Sequence, residues 1–223
     1  MFKNNQLLNW YFKKASLPVF FHVFLRYIMA PLEEVEKYIP QCGRILDFGC
    51  GHGTFSYLMY FSSIKREIVG LDVDRNKINI AKAINPNNKN IVFTDRDIND
   101  FKNKEFDAVV INDVLYLMPY AEQNNLLKSI HNVLKDDAVL IIKTMDPRSK
   151  LKFFCSYIQE FISVNIIKIT KSKEGKFYFV KDLNHFKQIL QEAGFHTQEF
   201  KLDRGFLHPH ILLLCHKKLN KSF

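Results

Sequence analysis

Short apolar runs and amphipathic stretches take turns along the middle of this chain. Residues 44–48, 67–71, 90–94, 106–111 and 138–143 are rich in Ile, Leu, Val and Phe and short enough to be strands. Between them, residues 53–61 and 75–84 carry apolar side chains at helical spacing, with Phe55, Leu58 and Met59 as the inner face of the first. The stretch opened by Pro119 repeats the pattern through Leu126, Leu127, Ile130 and Leu134. The run at 138–143 reads as a strand covered on both faces. Such alternation predicts a parallel, doubly wound α/β sheet. The end of the chain differs. Asp182 caps a helix through Phe186, Ile189 and Leu190, and Gly194 closes it. Residues 195–202 and 211–216 then follow as two antiparallel strands.

Two segments stand outside this alternation. Near the start, Leu17, Phe20, Phe21, Phe24, Leu25 and Ile28 recur at helical spacing and predict a helix after Pro18. Trp10, Tyr11, Phe12 and Tyr27 add to an aromatic surface interleaved with Lys3, Lys13, Lys14 and Arg26. Residues 1–30 read either as a helix pair packed on the sheet or as an interfacial surface that meets a membrane or greasy substrate. Pro31 opens a further helix over 32–39, with Glu33 and Glu34 at its positive end. After the fifth strand, Leu151, Phe154, Ile158, Phe161 and Ile162 form one helical stripe. Residues 166–169 and 177–180 read as a hairpin around Glu174-Gly175. The expected organisation is a single domain: an N-terminal helical segment over 1–40, a core over 41–147, an insertion over 148–180, and a closing helix and hairpin over 181–223.

Composition narrows the partners. The chain has 223 residues, 47% of them hydrophobic and 14% aromatic, as in an ordered globular protein. A formal charge of +9 invites an anionic partner, or reflects only scattered surface lysines. Cys42, Cys50, Cys155 and Cys215 form no C-x-x-C pair, so free thiols in a reducing compartment are expected. The longest apolar run, residues 17–30, is interrupted by His22 and Arg26. It falls short of the roughly 18–20 residues of a membrane span, and no small-residue cleavage site follows it. The expected setting is cytoplasmic, with peripheral membrane contact through residues 1–30.

The chemistry starts at Ile45-Leu46-Asp47-Phe48-Gly49-Cys50-Gly51-His52-Gly53-Thr54, a strand, a glycine turn and a helix start. Glycines at alternate positions let the backbone adopt positive φ and approach a ligand closely. A dinucleotide fingerprint needs G-x-G-x-x-G, and its third glycine would fall on Thr54. Here the pattern is G-x-G-x-G with an acid two residues before. A second acid, Asp72, ends the second strand, about 20 residues past the loop, where such a residue takes ribose hydroxyls. Asp74 suits a helix cap.

The glycine loop with its preceding acid resembles motif I of the class I S-adenosylmethionine-dependent methyltransferases. The segment Asn112-Asp113-Val114-Leu115-Tyr116-Leu117 resembles their motif IV. The resemblance covers about residues 41–217 and implies a Rossmann-like, seven-stranded sheet of order 3-2-1-4-5-7-6 with an antiparallel last strand. It implies S-adenosylmethionine as cofactor and S-adenosylhomocysteine as product. Asp47, Gly49, Cys50 and Gly51 would hold the methionine end, and Asp72 and Val73 the ribose end. Asp97 and Ile98 would take the adenine, with Asp95 as the rival, and Asn112 would line the floor.

On the acceptor side the candidates for catalysis are Asp113, Tyr116, His208 and His210. The two histidines read either as structural or as groups that orient an acidic acceptor or serve as base. No third ligand stands near them, so no metal is expected. His52 is expected to face solvent or acceptor, and Trp10 and Tyr11 are placed to close the donor pocket. The expected acceptor is a small apolar or lipid-like molecule. Nucleic acid is the less favoured partner, since neither a basic block nor an N/D-P-P-Y/F tetrad is present. A non-catalytic scaffold that binds the donor is a third reading, and an NAD-linked dehydrogenase, disfavoured by the glycine spacing and the reversed terminal hairpin, a fourth.

Overall fold

Three helices lead the chain: α1 (Asn5–Lys14), α2 (Leu17–Met29) and α3 (Leu32–Glu36). Strands and helices then alternate through β1 (Gly43–Phe48), α4 (Thr54–Ser62), β2 (Arg66–Leu71), α5 (Arg75–Ile84) and β3 (Ile91–Thr94). They continue through β4 (Phe106–Asn112), α6 (Tyr120–Val133) and β5 (Leu134–Met145). The chain closes with α7 (Leu183–Glu192), β6 (Phe195–Lys201) and β7 (His210–Lys217). This computed structural model describes residues 5–85, 87–149, 177–202 and 209–218.

The strands make one seven-stranded sheet of order β3-β2-β1-β4-β5-β7-β6. The first five in that order run parallel, while β7 is antiparallel to both β5 and β6. Successive strand residues point to opposite faces, and the burial follows that rule. Ile45, Val110, Ile141 and Leu212 join one apolar cluster, with α1 to α5. Leu46, Val109, Ile142 and Leu213 join another, with α6 and α7. Both faces are therefore covered, which explains strands without polar alternation.

Local signals account for the element ends. Pro18 sits in the first turn of α2. The Asp74 and Asp182 carboxylates accept from the backbone N–H groups of Asn76 and Asn184, capping α5 and α7. Gly194 takes φ +91 after α7. Arg66 is wholly buried and donates to the carbonyls of Pro40, Ile39 and Met59 and to Glu36 Oε1, tying α3 and its exit loop to β2.

Some expectations need correction. The inward face of α2 is built on Val23 and Tyr27, whereas Leu17, Phe21 and Leu25 are exposed. That helix is apolar almost all round, so periodicity identifies the helix and not its buried side. Helix α3 stops at Glu36, short of the expected 39. Residues 177–180 form no strand; Tyr178 N–H donates to the carbonyl of Tyr116, and Phe179 stacks on the Tyr116 ring. The proposed partner strand at 166–169 and the helical stripe at 151–162 lie outside the described residues.

Candidate active site

The loop between β1 and α4 lies at the C-terminal edge of the parallel strands, where open α/β sheets bind ligands. Gly49, Gly51 and Gly53 take φ values of +77, +56 and +82. Two of them are also needed for space: a Cβ on Gly49 would come 2.3 Å from Val114, and one on Gly53 2.7 Å from Phe93. At Gly51 nothing lies within 4 Å of an added Cβ. The backbone is thus closely packed on either side of Gly51 and open at it, a cradle that a ligand can enter.

Asp72 holds this loop in place. Its Oδ2 accepts the Gly51 N–H at 2.8 Å and its Oδ1 the Asp74 N–H at 2.8 Å. Gly49 and Cys50 N–H groups donate to the Leu71 carbonyl just before it. The tip of β2 and the glycine loop therefore form one hydrogen-bonded unit. Val73, next along, is 89% exposed. Asp47 lies under the loop, buried, with Oδ2 accepting from Ser56 Oγ at 2.6 Å. Burial raises its pKa to about 6, against the lowering pull of the Ser56 hydrogen bond and the Arg26 charge. Cys50 is buried and its thiol is pushed up by burial, as suits a packing residue and not a nucleophile.

The residues expected at the adenine lie past β3. Asp97 caps a single 3₁₀ turn, its Oδ1 accepting from Asn99 N–H and its own N–H donating to Asp100. Ile98 is buried in the α6-side cluster. Its rival Asp95 is drawn into a 2.6 Å ion pair with Arg75, which lowers its pKa.

Beyond β4 the structure gathers a polar cluster that sequence reasoning found only in part. Asn112 is 2% exposed, and both its side-chain amide atoms lack a hydrogen-bond partner among the described residues. Arg26 of α2 donates to its backbone carbonyl at 2.9 Å. Asp113 takes φ +59, uncommon for a non-glycine residue. Its Oδ2 pairs with Lys143 Nζ, and its buried Oδ1 has no hydrogen-bond partner among the described residues. Burial pushes the Asp113 carboxyl up, but Lys143, His210 and Arg26 outweigh it and hold it below the usual range. His210 is buried, with Nε2 3.1 Å from the carbonyl of Met29. Asn112, Asp113 and His210 are thus brought together with Lys143 and Arg26. Tyr116 belongs instead to an aromatic cluster with Met145, Phe177 and Phe179. His208 lies outside the described residues.

Arg26 and Lys143 were missed in the sequence. The available signals were a lone cation in an apolar helix and a charge on an apolar strand, and neither names its partner. His52 turns towards α2, where its ring meets that of His22 at 5.1 Å. Tyr11 donates to the His52 carbonyl at 2.8 Å, so α1 is pinned to the glycine loop. Trp10 packs edge-on against Phe61 of α4. Among the described residues no group of three His, Cys, Asp or Glu could hold a metal ion.

A family model described as a methyltransferase domain matches residues 41–194. A putative methyltransferase, YqeM, of Bacillus subtilis is 29% identical over 111 residues, which span 48% of this chain and 44% of that one. The chain thus spans less than half the length of that curated relative. The ribosomal RNA large subunit methyltransferase E of Brachyspira hyodysenteriae is 26% identical over 202 residues, covering 81% of this chain and 97% of its own. Among solved structures, an S-adenosylmethionine-dependent methyltransferase of Thermotoga maritima, described as a possible histamine N-methyltransferase, superposes with a TM-score of 0.66. It shares 17% identity over 91% of this chain and 96% of its own, a likeness that shows the fold alone. With the family match spanning more than half of the sequence, on a sheet of order 3-2-1-4-5-7-6, the chain belongs to the methyltransferase-domain family, the class I enzymes that draw their methyl group from S-adenosylmethionine.

Proposed function

We propose that this chain transfers a methyl group from S-adenosylmethionine to a small apolar or lipid-like acceptor. The observation that carries the donor half is the joining of Asp72 to Gly51 beside open space. The orphaned amide of Asn112 also fits a ligand that is hydrogen-bonded from that side. When bound, the donor supplies a sulfonium-activated methyl group. Asp72 holds the ribose hydroxyls, Asp97 and Ile98 take the adenine, and Val73 is covered. Asp47 and the loop backbone hold the donor's ammonium end. Arg26 is placed to pair with its carboxylate.

For the acceptor, the chain's task is alignment and exclusion of water, which can supply on the order of 7–11 kcal/mol at most. The donor would supply the methyl group, and any proton the acceptor loses would need a taker. Asp113 stands at that edge of the sheet to orient the acceptor and His210 to receive that proton, next to the buried apolar cluster of Tyr116, Met145 and Phe179. The apolar packing at that edge is what favours an apolar acceptor.

Hydrogen bonds to a charged group contribute about 1.5–3 kcal/mol. Asp72→Ala should therefore weaken S-adenosylhomocysteine binding about ten- to a hundred-fold in a calorimetric titration. Unchanged affinity would remove Asp72 from the donor site. A nucleic-acid acceptor is the second reading, favoured by the charge of +9 and by the ribosomal RNA methyltransferase among the relatives. Methyl label in nuclease-sensitive material, and not in the organic phase, would select it.

A further inference from the structure

We propose that α1 and α2 form a docking face for an anionic lipid surface. The starting observation is a line of side chains on the outer side of α2. Leu17, Phe21 and Leu25, one turn apart, are 64%, 58% and 50% exposed. Phe12 of α1 is 63% exposed, and its ring meets that of Phe20 at 5.2 Å. Phe20 in turn touches Phe21 and Phe24, so the two helices present one continuous apolar surface. Single exposed apolar residues are ordinary; a contiguous row of four large ones is not.

The charge around this row selects its occupant. Lys13 and Lys14 are exposed beside Phe12, at the end of α1. Residues 1–32 contain no Asp or Glu at all, and the first acid is Glu33, so nothing in these helices offsets the two lysines. An apolar stripe bordered by lysines is the make-up of a helix that lies in a membrane interface, with side chains such as Phe and Leu in the acyl boundary and ammonium groups at anionic headgroups. A second copy of this chain is a poor occupant. A two-fold contact would place the same cations face to face with no acid from these helices to meet them. Among the described residues no helix is long and apolar enough to cross a membrane, so the contact is one of lying on the surface.

The other side of the same helices faces the active site. Arg26 reaches Asn112, His22 meets His52, Tyr11 bonds the glycine loop, and the Met29 carbonyl meets His210. Docking through the outer row would hold the helices that cover the active site against the bilayer. The docking itself does not depend on which acceptor is methylated or on donor binding.

The test is co-sedimentation of the whole chain with vesicles of phosphatidylcholine alone and with an equal mixture of phosphatidylcholine and phosphatidylglycerol, at low and high salt. The wild type should bind the mixed vesicles, and added salt should weaken that binding. The double variant Phe21→Gln/Leu25→Gln should bind about ten-fold less. Lys13→Gln/Lys14→Gln should lose most of the salt-sensitive part. Both pairs are exposed, so thermal melts of the variants should match the wild type. No binding to mixed vesicles, or equal binding by the Phe21→Gln/Leu25→Gln variant, would overturn the proposal. So would a concentration-dependent dimer that the same variant abolishes, which would assign the face to a second copy.

Discussion

Arg26, in the second helix, donates a 2.9 Å hydrogen bond to the carbonyl of Asn112, at the tip of the fourth strand. The two are 86 residues apart in sequence. This bond carries a cation from the N-terminal helices to the buried ground between Asp47 and Asp113, whose carboxyls both respond to it. A donor with an amino-acid end brings one ammonium and one carboxylate, and Asp47 and Arg26 offer the opposite charges. Arg26→Ala should weaken S-adenosylhomocysteine binding about ten- to a hundred-fold. It should leave 5′-methylthioadenosine, which lacks the carboxylate, bound as before. Equal losses for the two ligands would show that Arg26 merely supports the fold.

The glycines of the loop should separate by role. Gly49→Ala drives a Cβ to within 2.3 Å of Val114 and should lower the melting temperature. Gly51→Val meets open space and costs mainly the backbone strain of a left-handed residue, about 1–2 kcal/mol. It should stay folded by circular dichroism while losing donor binding in a titration.

Asp47 predicts a pH dependence of donor affinity. Burial raises its folded pKa to about 6. In the free protein the folded state holds the proton more tightly than the unfolded chain does. The Asp47 contribution to stability is therefore present at low pH and lost as pH rises through 6. The ammonium-binding form is the ionised one, so S-adenosylmethionine affinity should climb as pH rises through 6, with protons released at the lower end. Calorimetry in buffers of different ionisation enthalpy measures that release. Asp47→Asn should abolish the release and flatten the profile.

How far each of these residues was legible depends on the range over which its meaning is fixed. The glycine loop, Asp72 at a strand tip and the caps Asp74 and Asp182 announce themselves within a few positions, because turn geometry and capping are local chemistry. The sheet order came from the family resemblance. Arg26 and Lys143 were not legible, since their partners lie 86 and 30 residues away and only the folded sheet brings them together. The buried side of the second helix escaped for another reason: when nearly every side chain is apolar, periodicity no longer distinguishes the core face from the open one. Residues 177–180 resemble a strand in composition, yet they pack against Tyr116 instead of pairing.

The Lys143–Asp113 pair should behave as a coupled unit. Lys143 is 1% exposed, and removing it strands a buried carboxylate. Lys143→Met should destabilise the chain by about 3–5 kcal/mol in urea unfolding. The double variant Lys143→Met/Asp113→Asn should recover much of that loss. Additive losses would mean that the two charges are not mutually supporting.

His22 and His52 should make the N-terminal helices acid-sensitive. Burial does most to lower their pKa values, to about 3 and about 4, and the Arg26 and Lys77 charges add to it. A histidine kept neutral in the fold contributes stability that is complete above its unfolded pKa of about 6.5. That contribution is lost progressively as pH falls towards the folded values. Amide protection factors in the first two helices should therefore fall between pH 6 and 4. His22→Phe should reduce that change.

The most direct test of the account is transfer itself. Methyl-labelled S-adenosylmethionine, the purified chain and an extract of the source cells would be incubated together and the extract fractionated, with the Asp72→Ala variant alongside. The account predicts that the wild type moves label into organic-soluble material and that the variant does so far more slowly. Equal transfer by the two proteins, or none by a wild type that binds the donor, would contradict it.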